Sequence, residues 1–257
     1  MDARATLALF DEQLRRRPEP QPPDGIVEET EHVVRFISEW WTGVVWSDLD
    51  VTNADAVIAA QLARFTGLPR SWEWKHYSYD EPADLPQRLV AAGFTPEPDE
   101  ALLAIDIADL DLDVAPPAGV ELRAVTDAAG IDALVRVAEQ VFGQEHAALR
   151  GLMRDALEHD PSPIEGVVAI AGDVPIAGAR LEFHPASGFA SFWGDGTLPA
   201  WRGRGVYRAL VAFRAARAAA RGCDAIWVEA SSESEPILRR LGFLELARTT
   251  PYVHPGG

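Results

Sequence analysis

The chain has 257 residues, of which 47% are hydrophobic and 25% are charged, as is usual for globular proteins. Its formal net charge of −17 would repel a nucleic-acid backbone and attract a cationic amine. One cysteine, Cys223, excludes an internal disulfide framework, and no apolar run is long enough to span a bilayer. We therefore expect a cytoplasmic protein with neither a nucleic-acid nor a membrane partner.

The first 115 residues have the periodicities of a mixed α/β segment. An amphipathic helix is predicted over residues 3–17, and a proline-rich loop follows it. Beyond that loop, β-branched and aromatic runs predict strands, and apolar residues at helical spacing predict helices. The predicted strands are 32–38, 40–46, 72–77 and 101–107, and the predicted helices are 53–66 and 85–92.

A second set of elements follows residues 114–119, a Pro- and Gly-containing segment that is the best candidate for a linker. Gly172-Asp173 lies between two strand-like runs and predicts a hairpin. The predicted strands are 120–125, 167–171, 176–183, 189–198, 225–230, 244–247 and 252–253. The predicted helices are 128–142, 145–159, 204–221 and 235–241.

One order of elements occurs twice in the chain. A strand, a polar loop, a short helix and a Gly-Phe pair occupy residues 72–94 and again residues 225–243. A helix-capping glycine followed by a core aromatic would explain each Gly-Phe pair without common origin. The matching order favours a tandem repeat instead. We therefore divide the chain into domains of residues 1–115 and 116–257.

The loop at residues 202–205 is the motif that carries chemistry. Gly203 and Gly205 allow a tight turn and expose backbone N–H groups, and the long predicted helix begins immediately after them. The unpaired N–H groups of a helix's first turn attract anions, and Arg202, Arg204 and Arg208 add positive charge. A pyrophosphate fits this arrangement. A glycine-containing turn with solvated arginines is the alternative, because a G-x-G by itself is a weak signal.

From about residue 120 to residue 254, the order of elements around this loop resembles the GNAT superfamily of N-acetyltransferases. The family's phosphate loop, R/Q-x-x-G-x-G/A, is similar to Arg202, Gly203, Arg204, Gly205, Val206 and Tyr207. The resemblance implies an α/β (α+β) fold, with a mixed, mostly antiparallel central sheet flanked by helices, in two tandem domains. It implies acetyl-CoA as the cosubstrate. The six histidines show no metal-ligand spacing, so we expect no metal.

Two further family motifs have counterparts in the chain. The V-x-P lead-in is similar to Thr197-Leu198-Pro199, which implies that backbone groups near Thr197 and Leu198 pair with pantetheine. The last motif, an Asn followed by a helix that ends in Gly-Phe, is similar to residues 231–243, with Ser231 in place of the Asn. Ser231 therefore joins the expected cofactor-binding residues.

Two positions depart from the family pattern. Tyr207 stands where a Gly or Ala is usual, and its side chain either narrows the phosphate cradle or points outward. Leu238 stands where many members carry a tyrosine that protonates the leaving thiolate. The family's general acid therefore has no counterpart at this position.

The resemblance implies direct attack of an amine on the thioester in a ternary complex, which requires a base and a donor for the oxyanion. The candidate bases are Asp195, Glu229 and Glu182, and Tyr252 is a candidate proton donor. For each carboxylate the alternative is an ordinary surface or rim position, and for Tyr252 it is an aromatic at a sheet edge. The residues alone leave this choice open.

The N-terminal domain has no comparable phosphate loop. Residues 47–55 contain no glycine, and Asp48, Asp50 and Asp55 would repel a pyrophosphate. We interpret this domain as a degenerate copy that does not bind coenzyme A. Its tryptophans either line an acceptor pocket or pack between the two halves; they are Trp40, Trp41, Trp46, Trp72 and Trp74.

Three functions are compatible with the sequence, and we favour the first. It is an N-acetyltransferase acting on a primary amine of a small molecule or peptide. The second is a non-catalytic acyl-CoA binding or sensing module, which the absent tyrosine at Leu238 supports. The third is a nucleic-acid binder that uses the arginines of residues 202–221, and the net charge opposes it. The sequence leaves the acceptor, the acyl chain length and the oligomeric state open.

Overall fold

The computed structural model of the chain describes residues 1–20, 25–39, 41–143 and 146–256. The chain forms two compact units. Unit 1 comprises residues 1–103 and 229–257, and unit 2 comprises residues 104–228. The predicted domains, 1–115 and 116–257, were divided by a repeated order of elements, whereas the two units are divided by their internal contacts. The predicted division therefore stays a prediction.

The structure confirms the predicted fold class, in which mostly antiparallel strands are flanked by helices. The α-helices are α1 (Ala3–Phe10), α2 (Ala54–Arg64), α3 (Leu85–Ala91), α4 (Ala128–Phe142), α5 (Ala147–His159), α6 (Val206–Ala220) and α7 (Glu235–Arg240). The strands are β1 (Ile26–Glu29), β2 (Val33–Ile37), β3 (Thr42–Ser47), β4 (Trp72–Tyr77), β5 (Thr95–Pro96), β6 (Glu100–Asp106), β7 (Val120–Ala124), β8 (Ile164–Ala171), β9 (Val174–His184), β10 (Phe189–Thr197), β11 (Ala225–Ala230) and β12 (Leu244–His254). In the described ranges, no helix has the length and apolarity needed to cross a membrane.

Three predictions about the elements were wrong. No strand was predicted at β1, and β12 is one strand where the sequence predicted two, because its pairing with β4 continues through Pro251. The helix predicted over 3–17 is α-helical only to Phe10 and continues as a π-helical turn, Asp11–Arg15. The predicted strand start at Trp40 and the loop residues 21–24 lie outside the described residues.

Unit 1 is built on strands in the order β1-β2-β3-β4-β12, with β3 and β4 parallel. Its core contains Trp72 and Trp74 of β4, which are buried along with the helix residues Ile58 and Leu89. The Trp72 ring lies 4.9 Å from Phe94 in an edge-to-face arrangement. Trp72 and Trp74 are therefore core residues, because alternate residues of β4 point to the same side.

The π-helical turn changes which side chain near residue 15 is buried. A regular helix would bury Leu14 on the face of Phe10, but Arg15 is only 3% exposed. Its guanidinium donates to Asp80 at 2.9 and 3.0 Å and lies 4.0 Å from the centre of the Tyr77 ring. Arg15 also donates to the Val45 carbonyl at 3.0 Å. This ion pair joins the first helical segment to β3 and to the end of β4.

Unit 2 is built on strands in the order β11-β10-β9-β8-β7. All neighbours are antiparallel except β10 and β11, which are parallel. Val168 of β8 packs with Leu134 of α4 on one face. Val167 of β8 packs with Leu210 of α6 on the other face. The two faces follow from the alternation of side chains along β8, and they place α4 and α6 on opposite sides of the sheet.

Candidate functional site

The predicted phosphate loop lies between β10 and α6 in unit 2. A short 3-10 turn, Pro199–Trp201, precedes it, and α6 begins at Val206. Gly203 has φ +72° and Gly205 has φ +87°, a backbone conformation that favours glycine. A Cβ atom at either glycine would find no atom within 4 Å, so the space in front of the loop is open.

The start of α6 exposes backbone donors to that space. Gly205 is the N-cap residue and has no side chain with which to cap the helix. Its carbonyl accepts from Ala209 N–H at 3.1 Å, so the N–H groups of residues 206–208 precede the first helical hydrogen bond. Such a helix end attracts anions. The geometry therefore fits the phosphates of coenzyme A, which the sequence predicted for this loop.

The loop arginines are exposed and surround this helix end. Arg202 Nε donates to the Thr197 carbonyl at 3.1 Å. The Arg204 guanidinium lies 5.2 Å from the centre of the Trp201 ring, and Arg208 lies 3.5 Å from Asp111. These exposed contacts are individually weak, so the arginines remain able to turn towards a phosphate.

A gap between β10 and β11 adjoins the loop. Their parallel pairing runs for three residue pairs and ends where Ser191 lies opposite Trp227. β10 continues to Thr197 with a register shift between Trp193 and Gly196. β10 stays paired with β9 as far as Thr197. Its other edge pairs with β11 only as far as Ser191, so beyond Ser191 that edge is not paired with β11. An extended ligand with amide groups can pair with such an edge.

The predicted pantetheine contacts lie at the end of this strand. Leu198 N–H donates to the Ile176 carbonyl at 2.9 Å, and the Thr197 carbonyl accepts from Arg202. The Leu198 carbonyl accepts from Trp201 N–H at 2.8 Å, so at least three of the four backbone groups of Thr197 and Leu198 have protein partners. Their role towards pantetheine stays a prediction.

The Tyr207 side chain points into the protein. Its hydroxyl is buried, and no hydrogen-bond partner for it exists among the described residues. Burial, and next the negative charge of Asp195, raise the pKa of Tyr207, so the phenol stays protonated. Of the two alternatives for this side chain, pointing outward does not describe it, since its hydroxyl is buried. The other alternative, that it narrows the phosphate cradle, stays a prediction.

Asp195, a predicted base, is held in a buried ion pair. Arg214 of α6 is fully buried and donates to the Asp195 carboxylate. Arg214 also donates to the Arg180 carbonyl at 3.0 Å and to the Leu210 carbonyl at 3.3 Å, and it lies 3.9 Å from the centre of the Phe192 ring. Burial raises the pKa of Asp195, and the Arg214 charge opposes that rise. This pair ties α6 to the irregular end of β10.

The other two candidate bases are also paired. Glu182 on β9 accepts from Arg180 Nε at 2.7 Å. Glu229 belongs to unit 1, where its carboxylate accepts from Tyr77 Oη at 2.6 Å and forms an ion pair with Lys75. Both carboxylates therefore already have partners within the protein.

Tyr252 and Ser231 belong to unit 1. Tyr252 is buried, and its ring lies edge-on to His76 at 5.9 Å. It lies opposite Trp74 of β4 and Pro96 of β5, so the alternative of an aromatic at a sheet edge does not describe its position. Burial raises the pKa of Tyr252. Ser231 is exposed, and its carbonyl accepts from Ser234 N–H at 3.1 Å. Leu238 is fully buried, as suits an apolar residue on α7.

Residues 47–55, which a tandem repeat would make the counterpart of the phosphate loop, contain a carboxylate bound to backbone N–H groups. The Asp50 carboxylate accepts from Thr52 N–H at 2.6 Å and from Asn53 N–H at 3.0 Å, directly before α2. The Thr52 hydrogen bonds lower the pKa of Asp50. A protein carboxylate thus lies in the turn directly before α2, where its negative charge opposes a phosphate.

Glu100 is a titratable residue that the sequence did not single out. It begins the apolar strand β6 in unit 1, and no described residue makes a hydrogen bond or ion pair with its carboxylate. Burial, and next the charge of Glu229, raise the pKa of Glu100 to about 7, against the opposing charge of Lys75. Its carboxylate can therefore change protonation near neutral pH. Its position at the start of an apolar run was the only sequence signal.

Glu100 should make the protein less stable as the pH rises. Its pKa is 4.5 in solvent and about 7 in the folded chain, so the folded state binds the proton more tightly. The stability this provides is complete below pH 4.5 and is lost as the pH rises through about 7. The free energy of unfolding of Glu100→Gln should therefore exceed that of wild type by about 2 kcal/mol at alkaline pH and equal it under acid conditions. Urea denaturation at the two pH values tests this.

The control for this experiment is Glu139→Gln, because Glu139 is an exposed glutamate of α4. It should differ from wild type by less than ~0.5 kcal/mol at either pH. A Glu100→Gln variant that gains no stability at alkaline pH would contradict the assignment of a raised pKa to Glu100.

The sequence predicted no metal site, because the six histidines lack metal-ligand spacing. Across the described parts of the chain, no three His, Cys, Asp or Glu side chains are grouped so that they could hold a metal ion. The arrangement at the loop and the gap instead offers backbone donors, arginines and an open strand edge. Those groups suit an anionic ligand with an extended amide-containing arm.

Comparison with known proteins shows what this part of the chain is similar to. Residues 131–243 match the family described as Acetyltransferase (GNAT) family. No curated protein matches the sequence significantly. The matched residues contain β8 to β11, α6 and the loop at 202–205, which are the elements that form the gap and the anion-binding helix end.

Solved structures with a similar fold include a GCN5-related N-acetyltransferase from Kribbella flavida, at TM-score 0.72 and 20% identity, over 100% of this chain and 96% of that one. A functionally unknown conserved protein from Staphylococcus epidermidis has a TM-score of 0.70 at 11% identity, over 96% and 98% of the two chains. A tandem GNAT protein from the clavulanic acid biosynthesis pathway has a TM-score of 0.63 at 13% identity, over 99% and 95%. At these identities the likeness concerns the fold. The family match covers residues 131–243, so that segment is similar to the acetyltransferase (GNAT) family.

Proposed function

We propose that the chain transfers an acetyl group from acetyl-CoA to a primary amine of a small molecule or peptide, by direct attack in a ternary complex. The observation that carries this proposal is the open glycine loop at the start of α6 beside the gap between β10 and β11. Acetyl-CoA would supply the activated acyl group as a thioester. Overall, a C–N bond forms, a C–S bond breaks and one proton moves from nitrogen to sulfur.

The residues of unit 2 bind and orient the cosubstrate in this proposal. The N–H groups of residues 206–208 and the arginines of the loop hold the pyrophosphate. The edge of β10 beyond Ser191 pairs with the amides of the pantetheine arm. Holding the thioester still against the amine is the main contribution of the protein, because correct placement lowers the entropic part of the barrier. The net charge of −17 favours the approach of cationic amines.

We propose further that the N-terminal half is a degenerate copy without a coenzyme A site. The hydrogen bonds of Asp50 directly before α2 support this, because a fixed carboxylate opposes a phosphate there. The chain should therefore bind one acetyl-CoA.

Acetyl transfer is tested with the full-length chain, acetyl-CoA and a panel of primary amines. We expect release of free thiol at least ~10-fold above the rate without amine, and a product heavier by one acetyl group for at least one amine. The control is the same panel with a Gly203→Asp/Gly205→Asp variant, which should give the background rate.

A non-catalytic acyl-CoA binding module is the second candidate function. Leu238 supplies no proton donor on α7, and Asp195, Glu182 and Glu229 are all held by cationic partners. Acetyl-CoA binding combined with background thiol release for every amine would favour this candidate over the enzyme.

A further inference from the structure

The two faces of the unit 2 sheet differ where β10 separates from β11. A methyl group at Gly178 would lie 2.7 Å from Leu134, and one at Gly196 would lie 3.4 Å from Val141. Leu134 and Val141 belong to α4, so these glycines mark the α4 face. Side chains alternate along a strand, so Arg180 lies on this same face of β9.

The cross-strand register extends this face over three strands. Trp193 lies opposite Arg180, Ser191 lies opposite Glu182, and Trp227 lies opposite Ser191. Residues directly opposite each other in a sheet share a face. The α4 face at the gap therefore carries two tryptophans, an ion pair and a buried serine, whereas the loop begins the helix that covers the other face.

Two tryptophans form a fixed aromatic surface on the α4 face. Their rings lie 5.3 Å apart in an edge-to-face arrangement at 86°. Trp193 Nε1 donates to Ser191 Oγ at 2.8 Å, and Ser191 is fully buried. Trp227 is buried, whereas Trp193 is partly exposed. A ligand at the gap would therefore contact the Trp193 ring.

Arg180 lies beside this surface, and only the Nε of its guanidinium donates to a described residue. Its Nε donates to Glu182, and its Cζ lies 5.9 Å from the centre of the Trp193 ring. The side chain is only 20% exposed. Within the described ranges, no acceptor lies within hydrogen-bonding distance of its two terminal amino groups. The four N–H groups of these terminal nitrogens lie in the plane of the guanidinium and have no described acceptor.

We propose that Arg180 and Trp193 select an acyl acceptor that carries a carboxylate as well as the reacting amine, so that the acceptor resembles an amino acid or a peptide with a nearby carboxylate. This inference rests on the proposed function. The two terminal nitrogens of Arg180 match the two oxygens of a carboxylate in a bidentate pair. Glu182 neutralises the net charge of Arg180, so the selection depends on directed hydrogen bonds rather than on attraction at long range.

The position of Arg180 supports a role towards the acceptor rather than towards coenzyme A. The phosphate loop begins α6, on the face opposite Arg180. A pantetheine arm that enters the gap from the α6 side would reach the α4 face of the sheet. The amine that attacks the thioester must then approach over Trp193, beside Arg180.

Matched pairs of amines that differ only in a carboxylate test this inference. The probes are tryptophan and tryptamine, phenylalanine and phenethylamine, and lysine and cadaverine. We measure the affinity of each by calorimetry in the presence of saturating coenzyme A, and kcat/KM for each with acetyl-CoA. In at least one pair, wild type should favour the carboxylate-bearing member by about 10- to 100-fold, as expected for hydrogen bonds between charged groups.

Variants of Arg180 separate its hydrogen bonds from its charge. Arg180→Gln should reduce the preference within that pair to about 1, and Arg180→Lys should retain only part of it, because an ammonium lacks the planar arrangement. Both variants should bind acetyl-CoA as wild type does, which also shows that they fold. The control is Arg123→Gln, an exposed arginine of β7 paired with Glu121, which should keep the full preference.

Two outcomes would overturn the inference. One is a wild type that binds acetyl-CoA but shows no preference for the carboxylate-bearing member of any pair, in affinity or in kcat/KM. The other is an Arg180→Gln variant that loses affinity for both members of a pair equally. Failure of wild type to bind acetyl-CoA at all is a different result, and it overturns the proposed function together with this inference.

Discussion

Replacement of Arg214 by methionine should destabilise the protein by about 3–5 kcal/mol, because it leaves the Asp195 carboxylate buried without its cation. Arg214 has no exposed surface and contacts β9, β10 and its own helix through the partners described above. The loss should appear as a lower urea midpoint. Affinity for acetyl-CoA should fall as well, since the pair joins α6 to β10.

Two controls sharpen this result. Arg217→Met alters the same helix, but the Arg217 side chain is 40% exposed and Glu165 keeps Arg221 as a partner, so we expect a loss below ~1 kcal/mol. Arg214→Met/Asp195→Leu removes both charges and should recover most of the stability lost in Arg214→Met. An Arg214→Met variant as stable as Arg217→Met would contradict the structural role of the pair.

The substitution Gly203→Asp/Gly205→Asp should weaken acetyl-CoA binding at least ~100-fold. Two carboxylates would project into the open space at the start of α6, where they oppose the pyrophosphate and compensate the helix dipole in its place. Both residues would also be forced into a positive φ that favours glycine. Calorimetry with acetyl-CoA measures the effect.

A matched control separates the phosphate site from general strain. Gly119→Asp/Gly143→Asp introduces the same charge at two other unit 2 glycines with φ +78° and +70° and open surroundings. This variant should bind acetyl-CoA within about 3-fold of wild type, since it alters no part of the loop. Equal losses in the two variants would show that the effect arises from destabilisation rather than from the loop.

The conformation of the glycine loop could be predicted from the sequence because its determinants are local. Gly203, Gly205 and the helix that follows them lie within one short stretch, and their conformations depend little on distant residues. Most strands and helices of the chain were predicted for the same reason. α1 is an exception, because the burial of Arg15 depends on Asp80, which is 65 residues away.

The candidate bases could not be judged from the sequence because their environments are set by distant partners. Arg214 follows Asp195 by 19 residues, and Lys75 precedes Glu229 by 154 residues. Each pairing depends on how strands and helices pack, and periodicity carries no such information. Arg180 escaped notice for the same reason, since its unused donors are visible only beside Trp193 and Glu182.

The most direct test of the account is a calorimetric titration of acetyl-CoA into the full-length wild-type chain. We expect binding at one site per chain, formed by the loop that precedes α6. Binding at two sites would contradict the interpretation of the N-terminal half as a copy without a coenzyme A site. Absence of binding would contradict the proposed function itself.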